Sequence, residues 1–187
     1  MVLLSVILIA LASIALLLSC VFGVECVANM LLKKSPRNES GVRPNLAIIV
    51  PAHNEEAVLE ATLKSIKAQL EPSDKLLVVA DNCSDGTADI ARRMGADVTE
   101  RFHETKRGKG YALDHGLRQI RDNPPDVVVF LDADCELAPG TMDHLAWSAM
   151  STRRPIQAVY TMDLPPEPSE KDRISCFAFY VKNRVRA

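Results

Sequence analysis

The first 24 residues, MVLLSVILIALASIALLLSCVFGV, contain no charged side chain. That absence excludes an ordinary solvated helix. At about 1.5 Å per residue the run is roughly 35 Å long as a helix, enough to cross a bilayer core of roughly 30 Å. A cleaved signal peptide carries a basic n-region and an apolar core of about 7–15 residues. Here no lysine or arginine precedes the run, and the run is longer. A retained transmembrane helix is therefore expected over residues 1–32. Lys33, Lys34, Arg37 and Arg43 follow it. By the positive-inside rule they stay in the cytosol, so the rest of the chain is expected on the cytosolic side of the cell (inner) membrane.

A strong charge of either sign is also missing. The 187 residues hold 22 Lys and Arg against 24 Asp and Glu, a net charge of −2. With no basic stripe in the sequence, no nucleic-acid partner is expected. The five cysteines, Cys20, Cys26, Cys83, Cys135 and Cys176, form no CxxC pair and no metal-ligand spacing, and read as free thiols. There is no internal repeat and no low-complexity tract.

What is present is alternation. After a polar linker over 33–45 (KKSPRNESGVRPN), short apolar runs at 46–50, 75–80, 96–100, 127–131 and 156–160 are separated by helical patterns at 55–70, 86–95, 109–121 and 140–150. This pattern predicts an α/β domain over 46–187 with a mostly parallel sheet flanked by helices. Past the proline-rich turn PPEPSE, Ile174, Phe177, Ala178, Val181 and Val185 recur at helical spacing.

In open α/β sheets ligands bind beyond the carboxyl ends of the strands. The first run is followed by Pro51, Ala52, His53, Asn54, Glu55 and Glu56, the second by Asp81 to Gly86, and the fourth by Asp132, Ala133 and Asp134. Asn54 reads as a helix N-cap, Glu55 and Glu56 as complements to the helix dipole, and Ser84 or Asp85 as the next cap. Asp81 precedes any capping position. Asp132 and Asp134 are not explained by capping. If the strand continues through them, residues two apart project to one side and the two carboxylates share one space. Like charges so placed call for a neutralising partner, and a hard divalent ion such as Mg²⁺ or Mn²⁺ suits carboxylate and phosphate oxygens. In Lys106-Arg107-Gly108-Lys109-Gly110, two glycines and a helix start favour a bound anion, with Lys109 as a point charge.

The segments IVPAHNEEAVLEATLKSIKAQ, VVADNCSDGTADIARRMGADV, RGKGYALDHGL and VVVFLDADCELAPG occur in the order and spacing of family 2 glycosyltransferases. Over about residues 45–160 the chain resembles that family and its GT-A (Rossmann-like) fold. With its apolar N-terminus it is most similar to membrane-bound bacterial polysaccharide synthases. The resemblance implies inverting transfer of a sugar from a nucleotide-diphosphate donor, commonly a UDP-sugar, to a glycan or lipid acceptor, with Mg²⁺ or Mn²⁺ as cofactor. Carried over, it puts Pro51, Ala52 and Glu55 at the nucleoside and Asp81 on the base. Lys109 falls near the diphosphate, Asp132 at the ribose or the metal's water shell, and Asp134 on the metal.

The family's acidic base motif and Q-x-x-R-W motif are not found. The chain is therefore expected to be the N-terminal, donor-binding part of a longer protein, inactive alone, with its base beyond Ala187. Two other readings stay open. One is a non-catalytic nucleotide-sugar-binding or scaffold partner of a membrane glycan-synthesis complex. The other is a nucleotidyltransferase, disfavoured because PAHNEE lacks the glycines that would hold a triphosphate.

Overall fold

A computed structural model describes residues 2–31 and 41–186. The expected linker residues 33–40 lie outside the described residues. The chain divides into two compact units, Arg37–Ile156 and Met1–Pro36 with Gln157–Ala187.

In the second of these, α1 spans Val2–Leu31. Its segment Leu3–Ala28 is long and apolar enough to cross a membrane. The run at 156–160 forms no strand. Tyr160 instead makes an edge-to-face contact with Phe179, ring centroids 4.9 Å apart, while residues 156–160 stay exposed. That helix, α6, spans Glu170–Arg186. It starts with a reciprocal cap in which the Ser169 amide donates to Asp172 Oδ2 at 2.8 Å and the Asp172 amide donates to Ser169 Oγ at 3.3 Å.

The other unit is the α/β domain. Its strands are β1 (Leu46–Ala52), β2 (Lys75–Asp81), β3 (Asp97–Arg101) and β4 (Val127–Phe130). Its helices are α2 (Leu59–Lys67), α3 (Thr87–Arg93), α4 (Lys109–Gln119) and α5 (Thr141–Thr152). The sheet is wholly parallel in the order β3-β2-β1-β4. Buried on both faces, β1 and β2 read as continuous apolar runs, as central parallel strands do. One face buries Leu46, Ile48 and Val50 against Leu59, Leu63, Ile66, Met142 and Ala146 of α2 and α5. The other buries Ala47, Ile49, Leu77 and Val79 under Ala112 of α4 and Ile120. Gly116 allows α4 to lie close to the sheet: a Cβ there would stand 2.7 Å from Ile49 Cγ2 and 3.0 Å from Val79 Cγ2.

Two local expectations need correction. The helix expected from residue 55 begins at Leu59, and Asn54 does not cap it. Asn54 takes a left-handed φ of 56° and uses its Oδ1 to accept from the Ser84 amide at 2.8 Å. The strand expected to carry Asp132 and Asp134 ends at Phe130. The Leu131 amide adds one more ladder bond to Ile49 O at 3.2 Å, and the chain then turns, with the Cys135 amide donating to Asp132 O at 3.2 Å.

Candidate functional site

The β1 and β2 loops are stitched together at the sheet's carboxyl edge. Glu56 Oε2 accepts from the Gly86 amide at 2.7 Å, and the Glu56 amide donates to Asp85 Oδ2 at 3.2 Å. Asp85 Oδ1 accepts from the Thr87 amide and from Thr87 Oγ1, at 3.1 and 2.6 Å. Thr87 Oγ1 in turn accepts from the Glu55 amide at 2.8 Å. Partial burial tends to raise the Asp85 pKa, but the Thr87 and Glu56 hydrogen bonds outweigh it and hold the carboxyl below its usual range. Glu56 and Asp85 are thus frame residues, and Glu55 is left with its side chain at the cavity.

Asp81 closes β2 and is 4% exposed. The β2–β3 register sets it beside Arg101. Arg101 Nη1 donates to Asp81 Oδ1 at 2.5 Å, and Asn82 Nδ2 donates to the same oxygen at 2.8 Å. Arg101 is itself fixed: Nη2 donates to Lys106 O at 2.5 Å, and its guanidinium lies 5.5 Å from the Tyr111 ring centroid. Sequence reasoning missed Arg101, because a charged residue in a polar strand reads as solvated. Only the β2–β3 register, which pairs it with Asp81, marks it out.

On the other side of β1, the Asp132–Cys135 turn is anchored by buried Thr62, whose Oγ1 donates to Ala133 O at 2.7 Å. A tight turn, not a strand pleat, therefore brings Asp132 and Asp134 together. A carboxylate oxygen of each and Cys135 Sγ all lie within 4.8 Å of one another. Lys109, at the start of α4 after Gly108 with φ 110°, forms an ion pair with Asp132. The neutralising cation absent from the local sequence thus arrives from 23 residues away.

These elements enclose a cavity of ≈ 380 Å³. Pro51, Ala52, His53 and Glu55 line it from the end of β1 and the loop after it, with Asp81 and Asn82 from the end of β2 and the residue that follows. Arg107, Gly108, Lys109 and Ala112 line it from α4 and the preceding loop, and Asp132, Ala133 and Asp134 close it. All seven residues singled out from the sequence meet there. His53 Nδ1 donates to Asp81 O at 2.7 Å and so holds the two loops in register. His103 and His115 serve local structure: His103 Nδ1 accepts from the Lys106 amide at 3.1 Å, and His115 Nε2 lies 2.9 Å from Thr99 Oγ1.

The donor set suits a hard divalent ion. Two exposed carboxylates share one space and supply oxygen ligands, leaving other coordination positions for a ligand's oxygens. Burial, then the charges of Asp134 and Asp132, push the Cys135 thiol up.

Residues 47–171 match the family model for glycosyl transferase family 2. The chain belongs to that family. Its parallel sheet and flanking helices are the GT-A arrangement. It is 35% identical over 111 residues to a 4,4'-diaponeurosporenoate glycosyltransferase from Staphylococcus haemolyticus, a match covering 57% of this chain and 28% of the relative. It is 33% identical over 99 residues to the low-salt glycan biosynthesis hexosyltransferase Agl6 of Haloferax volcanii, covering 52% of this chain and 22% of that protein. Among solved structures, a mannosyltransferase from Pyrobaculum calidifontis in complex with GDP-Man and Mn²⁺ superposes with a TM-score of 0.56 at 27% identity, over 73% of this chain and 44% of the other. The chain thus spans less than half the length of each of these relatives.

Proposed function

We propose that the chain is the donor-binding part of a membrane-anchored, inverting glycosyltransferase. It takes a nucleotide-diphosphate sugar, a UDP-sugar, and passes the sugar to a glycan or lipid acceptor with Mg²⁺ or Mn²⁺ bound. The supporting observation is a single cavity that joins a buried acceptor, Asp81, to a lysine and two converging carboxylates. In the sheet order, β1 separates β2, which ends in Asp81, from β4, whose following turn carries Asp132, and the two strands lie about two strand spacings, roughly 10 Å, apart. That span suits a nucleoside with its diphosphate.

In this reading the backbone at Pro51 and Ala52, with Glu55, lines the nucleoside, and Asp81 accepts from the base. Asp132 faces the ribose or the ion's water shell, and Asp134 holds the ion. The ion supplies Lewis-acid stabilisation of the departing diphosphate. Lys109 and the N-terminus of α4 add positive potential where that negative charge develops. Inversion needs a carboxylate base on the acceptor hydroxyl; we assign it to no residue of this chain. Leu3–Ala28 of α1 is the anchor.

Titration calorimetry on the full chain in detergent tests the site. We expect UDP to bind only with Mn²⁺ or Mg²⁺ present, and Asp134→Ala to weaken that binding about a hundredfold. Unchanged affinity in Asp134→Ala would remove the basis of the proposal. Metal-dependent binding without sugar transfer by the full-length protein would favour a non-catalytic nucleotide-sugar-binding partner.

A further inference from the structure

Away from the cavity, α6 is covered on its polar side and open on its apolar one. At about 3.6 residues per turn, Asp172, Cys176, Phe179 and Asn183 fall on one face, and all four are part-buried. The 160–163 segment lies against that face: Phe179 meets the Tyr160 ring, and Cys176 Sγ donates to Asp163 O at 4.0 Å. The opposite face carries Ile174, Phe177, Ala178 and Val181. Ile174 is 67% exposed and Phe177 69%. Exposed basic side chains edge this stripe, Lys171 and Lys182 along one side and Arg173, with Tyr180, along the other. The helix also contacts α1. Among the described residues of α1 only Glu25 and Cys26 are part-buried, which puts the contact near the end of the apolar span Leu3–Ala28.

We infer that α6 docks on an anionic lipid surface, with Ile174, Phe177, Ala178 and Val181 at the acyl boundary and Lys171, Arg173 and Lys182 among the headgroups. This rests on α1 being the membrane anchor, as proposed above. When α1 crosses a bilayer, Cys26 stands two residues, about 3 Å, from the end of its span, so a helix touching it there sits at headgroup depth. The apolar medium nearest to the open stripe is then lipid. An apolar face edged by lysine and arginine is what an interfacial helix needs. The long basic side chains lay their methylenes along the stripe and keep their charges in water. Their sign selects anionic headgroups, at about fivefold in affinity per basic residue. A single spanning helix fixes depth but leaves rotation about its own axis free. A second contact in the membrane plane, on the same compact unit, restricts that rotation.

The test is depth-dependent fluorescence quenching on the full chain in vesicles of phosphatidylcholine, alone or with an equal part of phosphatidylglycerol. An environment-sensitive probe is placed at Leu11→Cys or Phe177→Cys in a chain whose own cysteines are replaced by alanine. Nitroxide lipids labelled deep in the acyl chain should quench position 11. Those labelled near the headgroup should quench position 177, and more strongly with phosphatidylglycerol present. Changing Lys171, Arg173 and Lys182 together to glutamine should weaken docking about a hundredfold. Hydrogen exchange on the chain with its cysteines intact carries the test if the cysteine-free chain does not fold: α6 amides should slow in the anionic vesicles and recover in the glutamine variant. Quenching at position 11 without quenching at 177 overturns the inference and leaves the anchor standing. Quenching at neither position overturns both. Equal quenching at 177 in the two lipids, unchanged by the glutamines, overturns the anionic surface as partner. Shielding of position 177 in detergent that rises with protein concentration assigns the stripe to a second copy, and shielding without lipid in a longer protein assigns it to further chain; either overturns the inference.

Discussion

Asp81 and Asp132 are aspartates at the rim of the same parallel sheet, each held by a cation, yet the two pairs behave differently. The Asp81 and Arg101 side chains are 6% and 11% exposed. Those of Asp132 and Lys109 are 50% and 57% exposed. An exposed pair is screened and contributes little to stability, whereas removing one partner of a buried pair strands the other charge away from water. The β2 end of the cavity is therefore part of the frame, and the β4 end is open to exchange. A ligand can displace Lys109 from Asp132 at little cost. It has to fit around Asp81 as it stands.

The sharpest test of that contrast is to remove each carboxylate. Asp81→Ala should destabilise the full chain by about 3–5 kcal/mol, because Arg101 loses its buried counter-charge. Asp132→Ala should cost less than about 1 kcal/mol. Chemical unfolding measures both, and equal losses would erase the distinction. A second probe takes the stitching behind the β2 end. Thr87→Val leaves the Glu55 amide without its acceptor and Asp85 without a hydroxyl donor, for an expected loss of about 1–3 kcal/mol in the same measurement. The smallest effect depends on pH. Asp85 is held below its usual pKa in the folded state, so its contribution is complete above the unfolded carboxylate value and is lost as pH falls through the folded one. The stability gap between wild type and Asp85→Asn should be constant from about pH 5 to 8 and close below about pH 4. A gap that widened on acidification would reverse the assigned sign.

The frame was far more legible in the sequence than the links across it. Continuous apolar runs and their spacing located β1, β2 and β4 and the helices between the strands, and burial on both faces of β1 and β2 leaves a strong local signal. Strand ends pointed to Asp81, Asp132 and Asp134, and the glycines before α4 pointed to Lys109; all four line one cavity. Arg101 was missed, since its importance comes from strand register, a long-range property. Asn54 was misread for the same reason: its side chain serves a loop 30 residues away rather than the helix that follows. The run at 156–160 has the apolar content of a strand, but content alone does not supply a pairing partner. For Asp132 and Asp134 the shared destination was read correctly and the route to it was not.

Gly116 gives α4 a role that its distance from the cavity conceals. The helix rests on Ile49 and Val79 where a side chain would otherwise intervene. Lys109 stands about two helical turns away on the same rigid rod. How far that ammonium group projects over the rim is thus set in the hydrocarbon interior, by a methyl group that is not there. Substituting alanine at 116 would act as a shim, tilting or lifting the rod and moving its charged tip without touching any ligand. The position of Lys109 at the rim can therefore be tuned from the dry side of the sheet.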